Sequence, residues 1–156
     1  MKRKIPVSLI VVSVFVVIIT AIVLYCSANS HSLLLRINWG ICLPEPKEVE
    51  TVFTFDFKDG DEFEIWHYDT GFSPRGTMKP VTADNIYQAK SAFDNFRNDI
   101  SYDDEQLRLY DQNFNSSQIQ AGDYWERITV PKKFGSYLLL YYDVSHHLVY
   151  LMKIIM

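Results

Sequence analysis

Hydrophobic positions dominate the start of the chain without any periodicity. From Ile5 to Cys26 there is no charged side chain, and seven Val, five Ile and two Leu fill most of the 22 positions. At 1.5 Å per residue such a stretch is long enough to cross a hydrocarbon core of roughly 30 Å, so it predicts a transmembrane helix. No face of it is polar, which argues against an ordinary surface or core helix. Cleaved secretory signals have shorter apolar regions, roughly 7–15 residues, so an uncleaved signal anchor is favoured. Cleavage after Ala28 and lipidation of Cys26 are the alternatives, the second disfavoured by Tyr25 just before it. Lys2, Arg3 and Lys4 precede the stretch, and the first basic residue beyond it is Arg36. Positive charge stays inside, so the expectation is a single-pass protein of the cell membrane with residues 1–4 cytoplasmic and the C-terminal part outside.

Residues 27–48 read as a juxtamembrane tether. Ser27 to Ser32 is small and polar, Leu33 to Trp39 is short and apolar, and Pro44 and Pro46 impose an extended backbone. The apolar part is too short for a second span and is expected to pack at the membrane interface or on the domain.

From Val49 the period becomes two. Val49, Thr51, Phe53, Phe55 and Phe57 fall on one face, with Glu50, Thr54 and Asp56 on the other, which predicts an amphipathic strand. Lys58-Asp59-Gly60-Asp61 supplies turn chemistry, and Glu62 to Asp69 forms the partner strand of a hairpin. Thr70 to Pro80, with Gly71, Pro74, Gly76 and Pro80, reads as a loop.

The period then lengthens. Ile86, Ala89, Phe93, Phe96 and Ile100 recur at steps of three and four and predict a helix, capped by Thr82 or Asp84. A second helix begins near Ser101, with Asp103, Asp104 and Glu105 in the first turn and Leu107, Tyr110 and Phe114 as its stripe. Three strand-like runs follow: Tyr124 to Val130, Tyr137 to Tyr142, and Leu148 to Met156. The last two are apolar at nearly every position, as central strands buried on both faces would be. The order ββααβββ predicts an α+β domain over 49–156, an antiparallel sheet with helices packed on one face. The other face then needs a cover: the 33–43 stretch, a partner protein, or the bilayer.

Charge narrows the partners. Beyond Cys26 the chain carries all 19 acidic residues against 12 basic ones, a net of −7. Nucleic acid and anionic lipid surfaces call for Lys/Arg clusters, so neither is expected as a partner of this part. Two cysteines, Cys26 and Cys42, exclude a disulfide framework. Ten Phe, ten Tyr and three Trp supply a core instead.

Candidate chemistry is sparse. Gly71 to Thr77 has the glycine spacing of a phosphate-binding loop, but Thr77 stands where the lysine is required. Asp56, Asp59, Asp61, Glu62 and Glu64 cluster at the first hairpin without the alternate spacing of a calcium loop. His67 and Asp69 share a strand face and form a possible histidine–carboxylate pair. Asp143, His146 and His147 form a second group, although adjacent strand histidines point to opposite faces. Asn115-Ser116-Ser117 matches a glycosylation acceptor. No cofactor and no metal site is expected.

The expected function is a non-catalytic protein-interaction or envelope accessory module. It is anchored in the bilayer through residues 5–26, with a membrane or envelope protein as partner and self-association open. Two alternatives remain: an envelope-facing hydrolase using His67 and Asp69, and a membrane-held immunity or inhibitor protein against a secreted toxin or hydrolase.

Overall fold

A computed structural model describes residues 15–21, 30–54, 60–129 and 135–155. The chain divides into two compact units, Met1–Glu45 and Pro46–Met156.

In the first unit the membrane expectation meets its correction. Helix is described at residues 15–21, seven residues that rise only about 10 Å. Among the described residues no helix is long and apolar enough to cross a membrane. Residues 5–14 and 22–26 of the expected span lie outside the described residues. The transmembrane reading is therefore not upheld.

Within the stretch expected to be a tether, His31–Trp39 is a helix, α1. Its start is unusually well satisfied. The Ser30 hydroxyl accepts from the Leu33 amide, and Glu45 folds back to accept from Ser30 Oγ at 2.7 Å, His31 N at 3.0 Å, Ser32 N at 3.2 Å and the Ser32 hydroxyl. A carboxylate there meets both the orphan amides and the positive end of the helix dipole. Partial burial pushes the Glu45 pKa up, but the bonds from Ser32, Ser30 and the two amides outweigh it and hold the carboxyl below its ordinary value. Gly40, at φ +71°, ends the helix in the left-handed conformation that glycine adopts without strain.

The second unit is the α+β domain. Its strands are β1 (Glu48–Thr54), β2 (Asp61–His67), β3 (Lys79–Pro80), β4 (Tyr124–Thr129), β5 (Tyr137–Asp143) and β6 (Leu148–Ile154). They form one antiparallel sheet in the order β1-β2-β6-β5-β4-β3. The two most apolar strands, β5 and β6, are central, and every residue of β5 is buried.

Helix α2 (Ile86–Asp99) carries the apolar stripe that its periodicity predicts, whereas α3 (Asp104–Asn113) keeps Tyr110 of its expected stripe but buries Gln106, with Leu107 only half-buried and outside the core. Ala89, Phe93 and Phe96 from α2 and Ile100 at its C-cap join Tyr110 and Phe114 in one core with Phe63, Ile65, Trp125, Leu139, Tyr141, Tyr150 and Met152 of the sheet. The rings meet edge to face or tilted, Phe93 to Phe114 at 5.1 Å and Phe114 to Tyr150 at 5.1 Å between centroids, the arrangement that ring quadrupoles favour. Asp103 caps α3 by accepting from the Glu105 and Gln106 amides. Arg97 grips Asp111 with two 2.7 Å bonds and ties the helices together.

Four local expectations change. A register shift between Thr51 and Phe53 makes Val52 an extra residue, so Thr51 pairs with Glu64 while Phe53 pairs with Phe63. The bulge moves Phe53 to the opposite face from Val49 and Thr51 and lets Val52 and Phe53 both pack on the core. Phe55 and Phe57 lie outside the described residues. The loop before α2 contains a short strand, β3, against β4. Neither Thr82 nor Asp84 occupies the N-cap of α2. That place falls to Asn85, whose side chain turns back to accept from the Thr82 amide and donate to the Pro80 carbonyl. Finally, the apolar residues of β5 and β6 that face away from α2 and α3, Leu138, Leu140, Val149 and Leu151, are buried and offer no open apolar surface.

Candidate functional site

Strand register brings the sequence-predicted candidates to one end of the sheet. His67 closes β2 and pairs with Leu148, and Leu148 also pairs with Asp143, the last residue of β5. Asp69 lies two residues beyond His67, while His146 and His147 sit in the turn between β5 and β6. Residues about 80 positions apart thus share one rim, because the central strand β6 pairs with its hairpin partner β5 on one side and with the distant β2 on the other.

Asp143 organises the turn. Its Oδ1 accepts from the Ser145 amide at 2.9 Å, the Ser145 hydroxyl at 2.7 Å and the His146 amide at 3.0 Å, and its Oδ2 lies 2.7 Å from His146 Nδ1. This is a short polar side chain substituting for backbone partners in a turn. Burial alone would raise the Asp143 pKa. The bonds from His146 and Ser145, with the His146 charge, hold it below the ordinary value. His147 adopts φ +57°, which reverses the chain into β6.

Ser145, His146 and Asp143 are the residue types of a nucleophilic relay, but their connectivity differs from one. A relay needs the hydroxyl and the carboxylate on opposite ring nitrogens. Here Ser145 Oγ lies 3.1 Å from Nδ1, the nitrogen that also meets Asp143. The hydroxyl is in addition a donor to Asp143 itself. Such a set ties a turn and leaves no base aimed at the serine.

His67 and Asp69 turn to other partners. His67 Nε2 lies 3.6 Å from Glu50 Oε2 on β1, and Asp69 Oδ1 accepts from Lys47 Nζ at 2.6 Å. Among the described residues no three His, Cys, Asp or Glu side chains gather to hold a metal ion. Of the acidic residues at the first hairpin, Asp61, Glu62 and Glu64 engage Tyr102, Lys153 and Trp66. Asp56 and Asp59 lie outside the described residues. Asn115 is exposed, its side chain accepting from the Ser117 amide.

Three features of the domain carry no local sequence signal. Phe72 stacks on Tyr142 at 4.4 Å between centroids, and its amide donates to the Tyr142 hydroxyl at 3.0 Å. Gly71 beside it approaches the His147 ring so closely that an added Cβ would lie 3.1 Å from Nε2. Asp123, only 2 % exposed, accepts from the Tyr141 hydroxyl at 2.6 Å and from the Val144 and Gln120 amides at 3.2 Å. Each depends on residues distant in sequence, so spacing does not reveal it.

The opposite end of the sheet holds a second carboxylate environment. Asp61 is buried at the start of β2 and accepts from the Tyr102 hydroxyl. Burial pushes its pKa up, and the nearby Asp99 and Asp103 push the same way against the Tyr102 bond. The same bond, with burial, pushes the Tyr102 hydroxyl up to about 12. Tyr137 donates to Asp99 at 2.6 Å and fixes the C-terminal end of α2 over β5.

No protein-family model, curated protein or solved structure matches the chain.

Proposed function

We propose that residues 46–156 form a non-catalytic protein-interaction module whose acidic surface meets a basic partner. The observation that carries this reading is the shared nitrogen of His146. With Ser145 and Asp143 both at Nδ1, the Ser/His/Asp group that forms around the predicted Asp143 and His146 is consumed by the turn. His67 and Asp69, the pair a hydrolase would need, are turned to Glu50 and Lys47. Surface charge supplies the partner's chemistry, since an excess of carboxylates steers and selects basic surfaces.

Crosslinking in intact cells, followed by mass spectrometry, tests the reading. The expected result is one protein captured through this domain, with capture weakened by salt and by the charge reversals Asp104→Lys and Glu105→Lys. A hydrolytic activity of the purified chain that His67→Ala or His146→Ala abolishes would overturn it.

A further inference from the structure

A cleft of about 340 Å³ opens between α2 and the β3–β4 edge of the sheet, on side chains that the proposed interaction does not use. Its size lies at the small end of the range for small-molecule sites. Gln88, Ser91 and Asn95 line one wall together with Ala92. These positions recur at helical spacing and lie on one stripe of α2. Ala92 contributes a single methyl and leaves room beneath the polar groups. On the sheet side Trp125 and Arg127 alternate onto one face of β4, and Lys79 pairs with Trp125 from β3.

The charge of this cleft runs against that of the chain. Its lining has two cations and no carboxylate, in a protein of net charge −4. Lys79 Nζ lies 4.1 Å from the Trp125 ring centroid, and the Arg127 guanidinium lies 4.4 Å from that of Tyr137, so both cations are held on aromatic faces. Trp125 is 2 % exposed, and its indole N–H has no hydrogen-bond partner among the described residues. A buried donor left in that state is rare and unfavourable, so an orphan beside a polar cleft asks for a function. A carboxylate already visits the rim: Glu126 Oε1 lies 3.5 Å from Lys79 Nζ.

We propose that this cleft binds a small organic anion. Its carboxylate sits between Lys79 and Arg127, where Glu126 competes for the ammonium. Hydroxyl or amide groups of the same molecule meet Gln88, Ser91 and Asn95, side chains that offer both donors and acceptors. An inorganic dianion would suit backbone amides at a helix N-terminus better than this set of amide and hydroxyl side chains.

The test follows the Trp125 indole N–H resonance of the 15N-labelled 156-residue chain, assigned with Trp125→Phe, during titration with gluconate, glutarate, benzoate and inorganic phosphate. At least one carboxylate is expected to give a saturable shift. Binding weakens about tenfold in Lys79→Gln and in Arg127→Gln, the loss of one charge-assisted bond, and tightens in Glu126→Gln. Lys79 and Arg127 are surface side chains, and circular dichroism verifies that each variant keeps its fold. Absence of a saturable shift with all three carboxylates overturns the proposal. So does a shift that both charge-removing variants leave unchanged, or phosphate binding as tightly as the best carboxylate. None of these outcomes depends on whether a protein partner is captured by crosslinking.

Discussion

The Tyr141 hydroxyl donates to the Asp123 carboxylate over 2.6 Å, and both side chains are withdrawn from water. Asp123 uses its remaining capacity on the Val144 and Gln120 amides, so one carboxylate links β5, the β5–β6 turn and the segment before β4. Removing the hydroxyl with Tyr141→Phe is expected to cost about 2 kcal/mol, and Asp123→Ala about 3 kcal/mol because it also strands two amides. The double variant should lose less than the sum, a coupling that urea denaturation of the four proteins measures.

Phe63 is fully buried and touches the rings of Phe53, Tyr110 and Tyr150. It therefore holds the bulged edge strand, α3 and β6 to one point. Phe63→Ala is expected to cost roughly 3–5 kcal/mol through lost burial and an unfilled cavity. A shift of the denaturation midpoint equivalent to less than about 1 kcal/mol would contradict this packing.

Two buried carboxylates should respond to pH with opposite signs. Asp143 has its pKa lowered by folding against the burial that raises it, so its contribution is present above its ordinary value of 3.8 and is lost as pH falls through the lower folded value. Asp143→Asn should lower stability at neutral pH and flatten the acid limb of the stability curve.

Asp61 has its pKa raised, by burial first and by Asp99 and Asp103 next, so folding favours its neutral form. Stability declines as pH rises from 3.8 through the raised folded value, and the cost persists above it. Asp61→Asn keeps an acceptor for Tyr102 and should stabilise the domain at pH 7. The gain should vanish below about pH 3.9, where aspartate is neutral even in the unfolded chain. Thermal denaturation of both variants across pH reads the two signs.

Gly71→Ala places a methyl 3.1 Å from His147 Nε2, closer than most Cβ contacts. The imidazole is half-buried and at the rim, so it can swing aside. The expected cost is about 1 kcal/mol, with a displaced His147 ring resonance, at the mild end of overpacking. An unchanged ring resonance would contradict the close approach.

The elements that were legible in the chain are those whose evidence is local. The stripe from Ile86 to Ile100 needs only the helical period, and the runs at 137–142 and 148–156 need only their near-continuous apolar character. What escaped is nonlocal or breaks a period without changing composition. Val52 is one such residue: a single insertion reverses the face of every later residue in β1, yet Phe53 and Phe55 continue the period-two series of Val49 and Thr51 as if nothing were inserted. Strand β3, two residues long with Pro80, is too short to carry a period. Candidate chemistry suffers similarly. Residue types and spacing nominate His67 with Asp69 and Asp143 with His146 and His147, but only atomic connectivity shows that Ser145 and Asp143 share a nitrogen. The long apolar stretch at 5–26 gives the strongest local signal, and no helix among the described residues is long enough to match it.

Strand order has a consequence for synthesis. β2 is flanked by β1, made just before it, and by β6, the last of the six strands to be made. Roughly 80 residues separate His67 from its partner Leu148, so at 5–20 residues per second a ribosome needs about 4–16 s to deliver it. Throughout that interval the inner margin of the first hairpin, with Phe63 and Trp66 on its two faces, has no neighbour in the sheet. Nascent chains are therefore most vulnerable to mispairing while the intervening helices emerge, and a chaperone acting on this protein would find its target between β2 and β5.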